Sequence, residues 1–192
     1  MASTSRDLQP PERIPANVNA YADGVVVGDG PVLIDAYEDF QCPFCRMFEE
    51  QSGATLRQLA AEHVASVVYH PLAFLDAAST TQYSSRAASA SGCAADAGRF
   101  LDFHDALYVN QPPEGSAGLG DELLIELGAR LGIDDEDFPR CVAAHAYVPW
   151  TAYVTARAIA RGVQGTPTIL VNGTSVPASS AMILAAAGAL VS

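Results

Sequence analysis

The sequence contains no lysine, and the ten basic residues among its 192 are all arginines. Against 22 acidic residues they leave a formal net charge of -12 at pH 7, so nucleic acid and anionic membrane surfaces are unfavourable partners. No run of about eighteen apolar residues is present, so we expect no transmembrane helix. Residues 1–20 are polar and lack the apolar core of a signal peptide.

The motifs of several other protein classes are also absent. No G-x-S-x-G turn of a serine hydrolase and no G-x-G-x-x-G dinucleotide loop is found. A structural zinc site pairs closely spaced ligands. Two of the four cysteines and all four histidines lack a closely spaced partner of this kind in the sequence: Cys93, Cys141, His63, His70, His104 and His145. We therefore expect neither a metal nor a cofactor.

The composition is 49% hydrophobic and 17% charged, which is typical of a globular protein. Its length suits one domain with a sizeable insertion. We place the main domain at residues 21–76 and 150–192, with a helical insertion at 77–149. Residues 1–20 are predicted to be a linker or loosely attached arm because of their prolines.

Two cysteines separated by two residues, Cys42 and Cys45, stand where a predicted strand is followed by a predicted helix. A helix N-terminus offers unpaired N–H groups and the positive end of the helix dipole, which favour a thiolate. Pro43 suits the first helical position, where a missing N–H costs nothing. We expect Cys42 to be the exposed nucleophile. Cys45, one turn further, is expected to be the buried resolving thiol, which can attack a mixed disulfide formed at Cys42. This arrangement predicts thiol–disulfide exchange.

Hydrophobic patterning indicates the other elements. The predicted strands cover about 25–27, 32–37, 64–69, 168–171 and 175–176. The predicted helices cover about 43–63, 78–95, 97–109, 119–131, 135–145, 151–161 and 179–190. Asn172-Gly173 predicts a type I′ hairpin turn between the last two strands. Most of the helices lie between the third and fourth strands.

This order of elements resembles the DsbA-like thiol–disulfide oxidoreductases over roughly residues 20–190. The resemblance is carried by Asp39-Phe40-Gln41-Cys42-Pro43-Phe44-Cys45 and by Gly165-Thr166-Pro167-Thr168 at the start of the late hairpin. It implies an α/β, thioredoxin-like fold with an inserted α-helical domain. It also implies unfolded or reduced protein substrates, a redox partner that resets the active site, and a monomer.

The resemblance further implies that Pro167 follows a cis peptide bond and lies against the cysteine pair. The backbone of Thr166 would then turn outward and pair with an extended substrate strand. The alternative is a proline that merely starts a strand.

Two features depart from the family pattern. Between the cysteines this sequence has Pro43 and Phe44, at the positions where strongly oxidising members of the family carry Pro-His. We expect Pro43 and Phe44 to tune the redox potential and the shape of the site. Unlike a histidine, Phe44 can offer only its backbone N–H. Many thioredoxin-like proteins hold a buried acid six residues before the first cysteine, a position that Ala36 occupies here. Asp35 is predicted to face the other side of the strand, which leaves Glu38 as a substitute.

Four acidic residues lie near the cysteine pair in sequence: Glu38, Asp39, Glu49 and Glu50. Like-charge repulsion is expected to raise the pKa of Cys42. The sequence therefore favours an exchange enzyme that introduces disulfides into exported proteins, but not a powerful oxidant. The alternatives are a reductase or isomerase of the same fold and a non-catalytic peptide-binding module with a static Cys42–Cys45 bridge.

Cys93 and Cys141 remain after the first pair is set aside, and an even remainder is typical of a second, structural disulfide. Two free buried cysteines are the alternative. Structural disulfides belong to oxidising compartments. We therefore expect an extracytoplasmic protein, in the cell envelope or secreted, whose signal or membrane anchor is absent from this chain. A cytoplasmic protein is the second hypothesis.

Several other side chains have expected roles. His104 lies on an amphipathic helix and is predicted to be structural. His70 ends a strand whose tip can approach the active site, so a substrate-facing role is open. Apolar surface around Phe40 and Phe44 is expected to accept unfolded chains, and Trp150 to pack between insertion and core.

Overall fold

A computed structural model describes residues 8–191 and the side chains of residues 8–188. Its centre is a mixed sheet of five strands, which are β1 (Val25–Val27), β2 (Val32–Glu38), β3 (Ala65–Pro71), β4 (Thr168–Val171) and β5 (Thr174–Val176). Their order across the sheet is β1-β3-β2-β4-β5. Strands β2 and β3 are parallel, and the other neighbours are antiparallel.

The helices are α1 (Pro43–Phe48), α2 (Ala54–Ala61), α3 (Tyr83–Asp96), α4 (Phe100–Val109), α5 (Asp121–Arg130), α6 (Asp137–Ala143), α7 (Val148–Ala160) and α8 (Ser180–Val191). Helices α3 to α6 separate β3 from α7. The α/β, thioredoxin-like fold with a helical insertion is confirmed. Within residues 8–191, no helix has the length and apolar character needed to cross a membrane.

Strand β2 is the central strand, and it carries the chain into the cysteine pair. It is buried along nearly its whole length because β3 and β4 flank it. At its carboxyl end, Tyr37 pairs with Thr168, the first residue of β4. The residues after β2 and the residues before β4 therefore emerge side by side at one end of the sheet.

The helix predicted from residue 43 to residue 63 is divided. A π-helical turn, Glu49–Gly53, lies between α1 and α2. A Cβ atom added to Gly53 would lie 2.2 Å from a carboxylate oxygen of Glu49. The glycine therefore gives the buried Glu49 side chain its space, and a wide turn of this kind often marks a functional site.

Other boundaries also differ from the sequence prediction. The helix expected from residue 78 begins at Tyr83, because Gln82 has a left-handed backbone with φ of 53°. A short 3-10 turn, Asp76–Ala78, precedes it. The expected hairpin turn is present, with positive φ at both Asn172 and Gly173.

The described part of the predicted arm lies against the body of the protein. Val18 forms a β-bridge with Val25. The backbone N–H of Ala16 donates to the carboxylate of Asp96 on α3 at 2.9 Å, and Pro15 is buried. Residues 15–18 are thus packed rather than loosely attached. The domain boundaries at residues 77 and 149 stay a prediction.

Trp150, near the start of α7, is fully buried. Its indole N–H donates to the carbonyl oxygen of Ala22 at 2.7 Å. This contact joins the helix that follows the insertion to the segment that leads into β1, and satisfies the polar atom of a large core side chain.

Candidate active site

Cys42 is the N-cap residue of α1, and Pro43 occupies the first turn. The Cys42 N–H donates to the carbonyl oxygen of Asp39 at 2.9 Å, and the Cys42 carbonyl accepts from the Cys45 N–H at 3.1 Å. The turn from β2 into α1 is therefore hydrogen-bonded on both sides of Cys42. Its sulfur lies where the first N–H groups of the helix are unpaired.

The structure contains Cys42 and Cys45 as free thiols. The Cys42 Sγ atom lies 3.5 Å from the carbonyl oxygen of Thr166, and the peptide bond between Thr166 and Pro167 is cis. Cys42 is 5% exposed and Cys45 is fully buried. The nucleophile that we expected to be exposed thus presents only a small part of its surface, while Cys45 lies behind it.

The pKa of the Cys42 thiol is lowered to about 6. The largest cause is a hydrogen bond with the Cys45 side chain. The Thr166 side chain and the backbone N–H groups of Phe44 and Cys45 also lower this pKa, whereas burial of the thiol opposes the shift. The expected rise in this pKa was wrong. The hydrogen bonds to its sulfur, and not the charges of the four nearby acids, are among the main causes of the shift.

The pKa of Cys45 is raised far above its ordinary value. Burial is the largest cause, followed by the hydrogen bond to Cys42 and the negative charge of Glu38. The pair is therefore asymmetric. Cys42 is the sulfur that ionises at neutral pH, and Cys45 is the sulfur that retains its proton.

Glu38 belongs to a cluster of charged side chains in which Glu38, Glu49 and His104 are buried and Arg57 and Asp105 are partly exposed. Nε2 of His104 lies 2.8 Å from one Glu38 oxygen, and Nδ1 of His104 lies 3.3 Å from Asp105. Arg57 lies 3.0 Å from Asp105 and 3.7 Å from Glu49. The cluster thus contains three carboxyl groups and two basic groups, and His104 has the structural role that the sequence suggested.

The ionisation of the cluster follows from this geometry. Burial opposes a charge on His104, but its hydrogen bonds with Asp105 and Glu38 raise its pKa to about 10. Burial and the nearby charge of Glu38 raise the pKa of Glu49 to about 8. At pH 7, His104 is therefore positively charged and Glu49 carries a proton.

A metal ion is the other possible use of these side chains. Ligand atoms of Glu38, Glu49 and His104 all lie within 4.8 Å of one another. However, both ring nitrogens of His104 already face carboxylates, and Arg57 places a positive charge beside Glu49. We therefore interpret the group as a charge-compensated ion cluster.

Many thioredoxin-like proteins hold a buried acid before the first cysteine, and three residues of β2 were considered for that role. They lie on different faces of the strand. Ala36 is fully buried, with no polar group to offer. An Asp35 carboxylate oxygen lies 2.9 Å from Nε2 of His70, on the opposite face of the strand from Glu38. His70 is itself 1% exposed, and its Nδ1 atom contacts the Asp23 carbonyl. The substrate-facing role considered for His70 was wrong.

The apolar surface beside the cysteines is smaller than expected. Phe40 is buried, and its ring packs against Tyr108 with centroids 5.2 Å apart. Phe44 is 63% exposed and Met47 is 44% exposed. Phe44 and Met47, and not Phe40, are therefore available to an incoming chain.

Two glutamines to which the sequence analysis gave no role hold the segment around the nucleophile. The Gln111 amide donates to the carbonyl oxygens of Phe40 at 3.0 Å and Cys42 at 2.9 Å. The side chain of Gln41 accepts from the backbone N–H of Gly115 at 2.9 Å. Nothing in the spacing of Gln111 in the sequence indicates this contact, since 69 positions separate it from Cys42.

Cys93 on α3 and Cys141 on α6 are joined in a disulfide with an S–S distance of 2.09 Å. This bond connects two helices of the insertion across 48 positions of sequence. It involves neither active-site cysteine.

The fold and the paired thiols define a thioredoxin-type protein built for thiol–disulfide chemistry. The family model described as Thioredoxin matches residues 23–186. The chain belongs to this family, and within it to the DsbA-like thiol–disulfide oxidoreductases, as the following relatives show.

The reduced DsbA of Mycobacterium tuberculosis is 33% identical, with a TM-score of 0.77, and the match covers 88% of this chain and 92% of that one. The reduced disulfide bond oxidoreductase DsbG of the same organism is 35% identical, with a TM-score of 0.71 and 80% of each chain covered. The Na(+)/H(+) antiporter NhaA 3 of Salinispora tropica is 30% identical over 146 residues, which are 76% of this chain. The match spans about a fifth of that protein, 21% of its length.

Proposed function

We propose that this chain introduces disulfide bonds into exported proteins by exchange through Cys42 and Cys45. The observation that carries the proposal is the asymmetry of the two thiols, with the pKa of Cys42 lowered to about 6 and that of Cys45 raised. A thiolate that is stable at neutral pH stabilises the reduced pair. The oxidised pair is correspondingly ready to accept electrons.

In the oxidising direction, a substrate thiolate attacks the Cys42 sulfur of the Cys42–Cys45 disulfide. The S–S bond breaks, and its electron pair stays on Cys45, which takes up a proton. A second substrate thiolate then attacks the substrate sulfur of the mixed disulfide, and Cys42 leaves as a thiolate. The substrate gains a disulfide and the enzyme holds two more electrons, which a redox partner removes.

The proton that Cys45 needs comes, in this proposal, from the carboxyl groups behind it. Glu38 is the carboxylate whose charge acts on Cys45, and Glu49 is its protonated neighbour at pH 7. Glu49 also lines a surface cavity of about 230 Å³, together with Arg57 and Asp105. Solvent in this cavity is the proposed source of the proton that returns to Glu49, whose two carboxyl oxygens are themselves buried.

Thr166 and Pro167 are the proposed docking loop for substrate. Both are partly exposed, and the Thr166 carbonyl faces the reactive sulfur. An extended chain that pairs with this backbone would place its own thiol near Cys42. Phe44 and Met47 add apolar contact without sequence preference, and Pro43 with Phe44 tunes the potential through the helix start.

The pKa of Cys42 also bears on the direction of electron flow. Comparable cysteines have pKa values of about 7 in thioredoxin and about 3.5 in DsbA, and Cys42 lies between them at about 6. A reductase or isomerase role is therefore the second candidate. A glutathione redox titration separates the two: a potential of about -270 mV favours the reductase, and one well above it favours the oxidant.

The deciding experiment compares wild type with Cys42→Ser and Cys45→Ser in peptide oxidation and insulin reduction. We expect Cys42→Ser to be inactive and Cys45→Ser to accumulate a mixed disulfide with substrate. Activity of Cys42→Ser equal to wild type rejects the assignment. A Cys42–Cys45 bridge that resists mild reductant supports a non-catalytic binding module instead.

We further propose an extracytoplasmic location and a monomer that does not bind nucleic acid. The Cys93–Cys141 disulfide supports an oxidising compartment, and the net charge of -12 disfavours nucleic acid. Fractionation of cells that express the natural gene tests the location. Recovery of the protein in the cytoplasmic fraction contradicts it.

A further inference from the structure

Gln111 lies two residues after the end of α4, and its side chain reaches back to the backbone of the nucleophile. Its backbone N–H donates to the carbonyl of Tyr108 at 3.2 Å, which anchors it to the last turn of the helix. It precedes Pro112, and a residue before proline is restricted to extended conformations. The position of the Gln111 side chain is therefore set by the insertion and not by the cysteine segment.

Both contacts of the Gln111 amide use its nitrogen. Nε2 lies 3.0 Å from the Phe40 carbonyl oxygen and 2.9 Å from the Cys42 carbonyl oxygen. An amide nitrogen has two N–H donors, so this geometry uses both. The reversed amide would place an oxygen against two carbonyl oxygens, which fixes the orientation.

The residue between these two carbonyls is held from the same loop. Gln41 is fully buried, and its side-chain oxygen accepts from the Gly115 N–H at 2.9 Å. Its amide nitrogen donates to Leu75 and Ser84, each at 3.2 Å. Residues 40–42 are thus tied to residues 111–115 by reciprocal side-chain to backbone hydrogen bonds.

We propose that Gln111 is a positioning residue that holds the Cys42 backbone in its N-cap conformation, and so links the loop after α4 to the reactivity of the thiol. The proposal deepens the exchange function and rests on it. Cys42 has φ of -77° and ψ of 118°, an extended conformation that turns its side chain toward the first N–H groups of α1. Gln111 contacts no reacting atom, and acts through the two carbonyls.

The test measures the alkylation rate of Cys42 at pH 6, close to the pKa of the thiol, in Gln111→Met and Gln111→Glu. Met fills the space without a donor, and Glu places carboxylate oxygens against the two carbonyls. We expect alkylation to slow about threefold to tenfold in Gln111→Met, since the thiolate is the reactive form. It should slow further in Gln111→Glu.

Asn110→Ala is the matched control. The Asn110 amide also donates to a backbone carbonyl, that of Ala106 at 2.8 Å, but only within the end of α4. Its loss should leave the alkylation rate unchanged. A wild-type rate in Gln111→Met, or equal slowing in Asn110→Ala, overturns the proposal.

Melting temperatures of all variants identify any that fail to fold. In that event Gln111→Asn, whose shorter amide cannot span both carbonyls, serves as the second variant, and a wild-type rate there also overturns the proposal. Alkylation requires no exchange activity. If wild type oxidises no peptide, the proposed function fails while the role of Gln111 is still measured.

Discussion

The Cys42 sulfur and the Thr166 carbonyl oxygen lie 3.5 Å apart although 124 positions separate the two residues in sequence. The pairing of Tyr37 with Thr168 brings them together, because it sets the end of β2 beside the start of β4. The nucleophile and the backbone proposed to receive the substrate are therefore held by one sheet.

Thr166→Val should raise the pKa of Cys42, because the Thr166 side chain favours the thiolate. The substitution keeps the shape of the side chain and removes its hydroxyl group. The pH dependence of Cys42 alkylation measures the change. Thr168→Val is the control, since that hydroxyl donates to Gly165 and does not contact the sulfur. An unchanged midpoint in Thr166→Val contradicts the assigned cause.

The reduced protein should become more stable than reduced Cys42→Ser as the pH rises from about 6 to 9. These limits are the pKa of the Cys42 thiol in the folded protein, about 6, and its ordinary value, 9.0. Since folding lowers this pKa, the stabilisation is complete above pH 9 and disappears as the pH falls through 6. Denaturant unfolding at several pH values gives the difference. A constant difference across this window would show that Cys42 is not ionised preferentially in the fold.

The contribution of the Glu49 carboxyl group to stability should have the opposite pH dependence to that of the Cys42 thiol, and Glu49→Gln tests this. Folding raises the pKa of Glu49 from 4.5 to about 8, so wild type loses this contribution to stability as the pH rises between those values. The variant cannot ionise there, and its stability relative to wild type should increase from pH 4.5 to pH 8. Glu50→Gln is the control, because Glu50 forms an exposed pair with Arg46. Parallel curves for wild type and Glu49→Gln contradict the raised pKa.

Replacing both Cys93 and Cys141 by serine should lower the free energy of unfolding by about 4 kcal/mol on the chain-entropy model. The disulfide closes a loop across 48 positions of sequence. Its removal therefore increases the conformational entropy of the unfolded chain, which favours unfolding. Denaturant unfolding of the double variant measures the loss, and the alkylation rate of Cys42 should stay the same. An unchanged unfolding midpoint argues against a stabilising role.

Local chemistry made several features predictable from the sequence. Cys42, Pro43 and Cys45 form a helix start with a thiol at its N-cap, and Asn172-Gly173 closes a hairpin because both residues accept positive φ. The ends of the helices, and the breaks within them, were harder to predict from the sequence. The π-helical turn at Glu49–Gly53 depends on where the Glu49 carboxyl group is buried, and neighbours in sequence do not reveal that.

The sequence by itself determined the order of elements, the reactive pair and the family to which they belong. Only the tertiary structure decided that the pKa of Cys42 falls, that Glu38 is paired with His104, and that Gln111 holds the Cys42 carbonyl. The physical reason is that hydrogen bonds and charges act over a few ångströms of space. The groups that set these properties come from β2, α1, α4 with the loop that follows it, and the loop before β4, which only folding brings together.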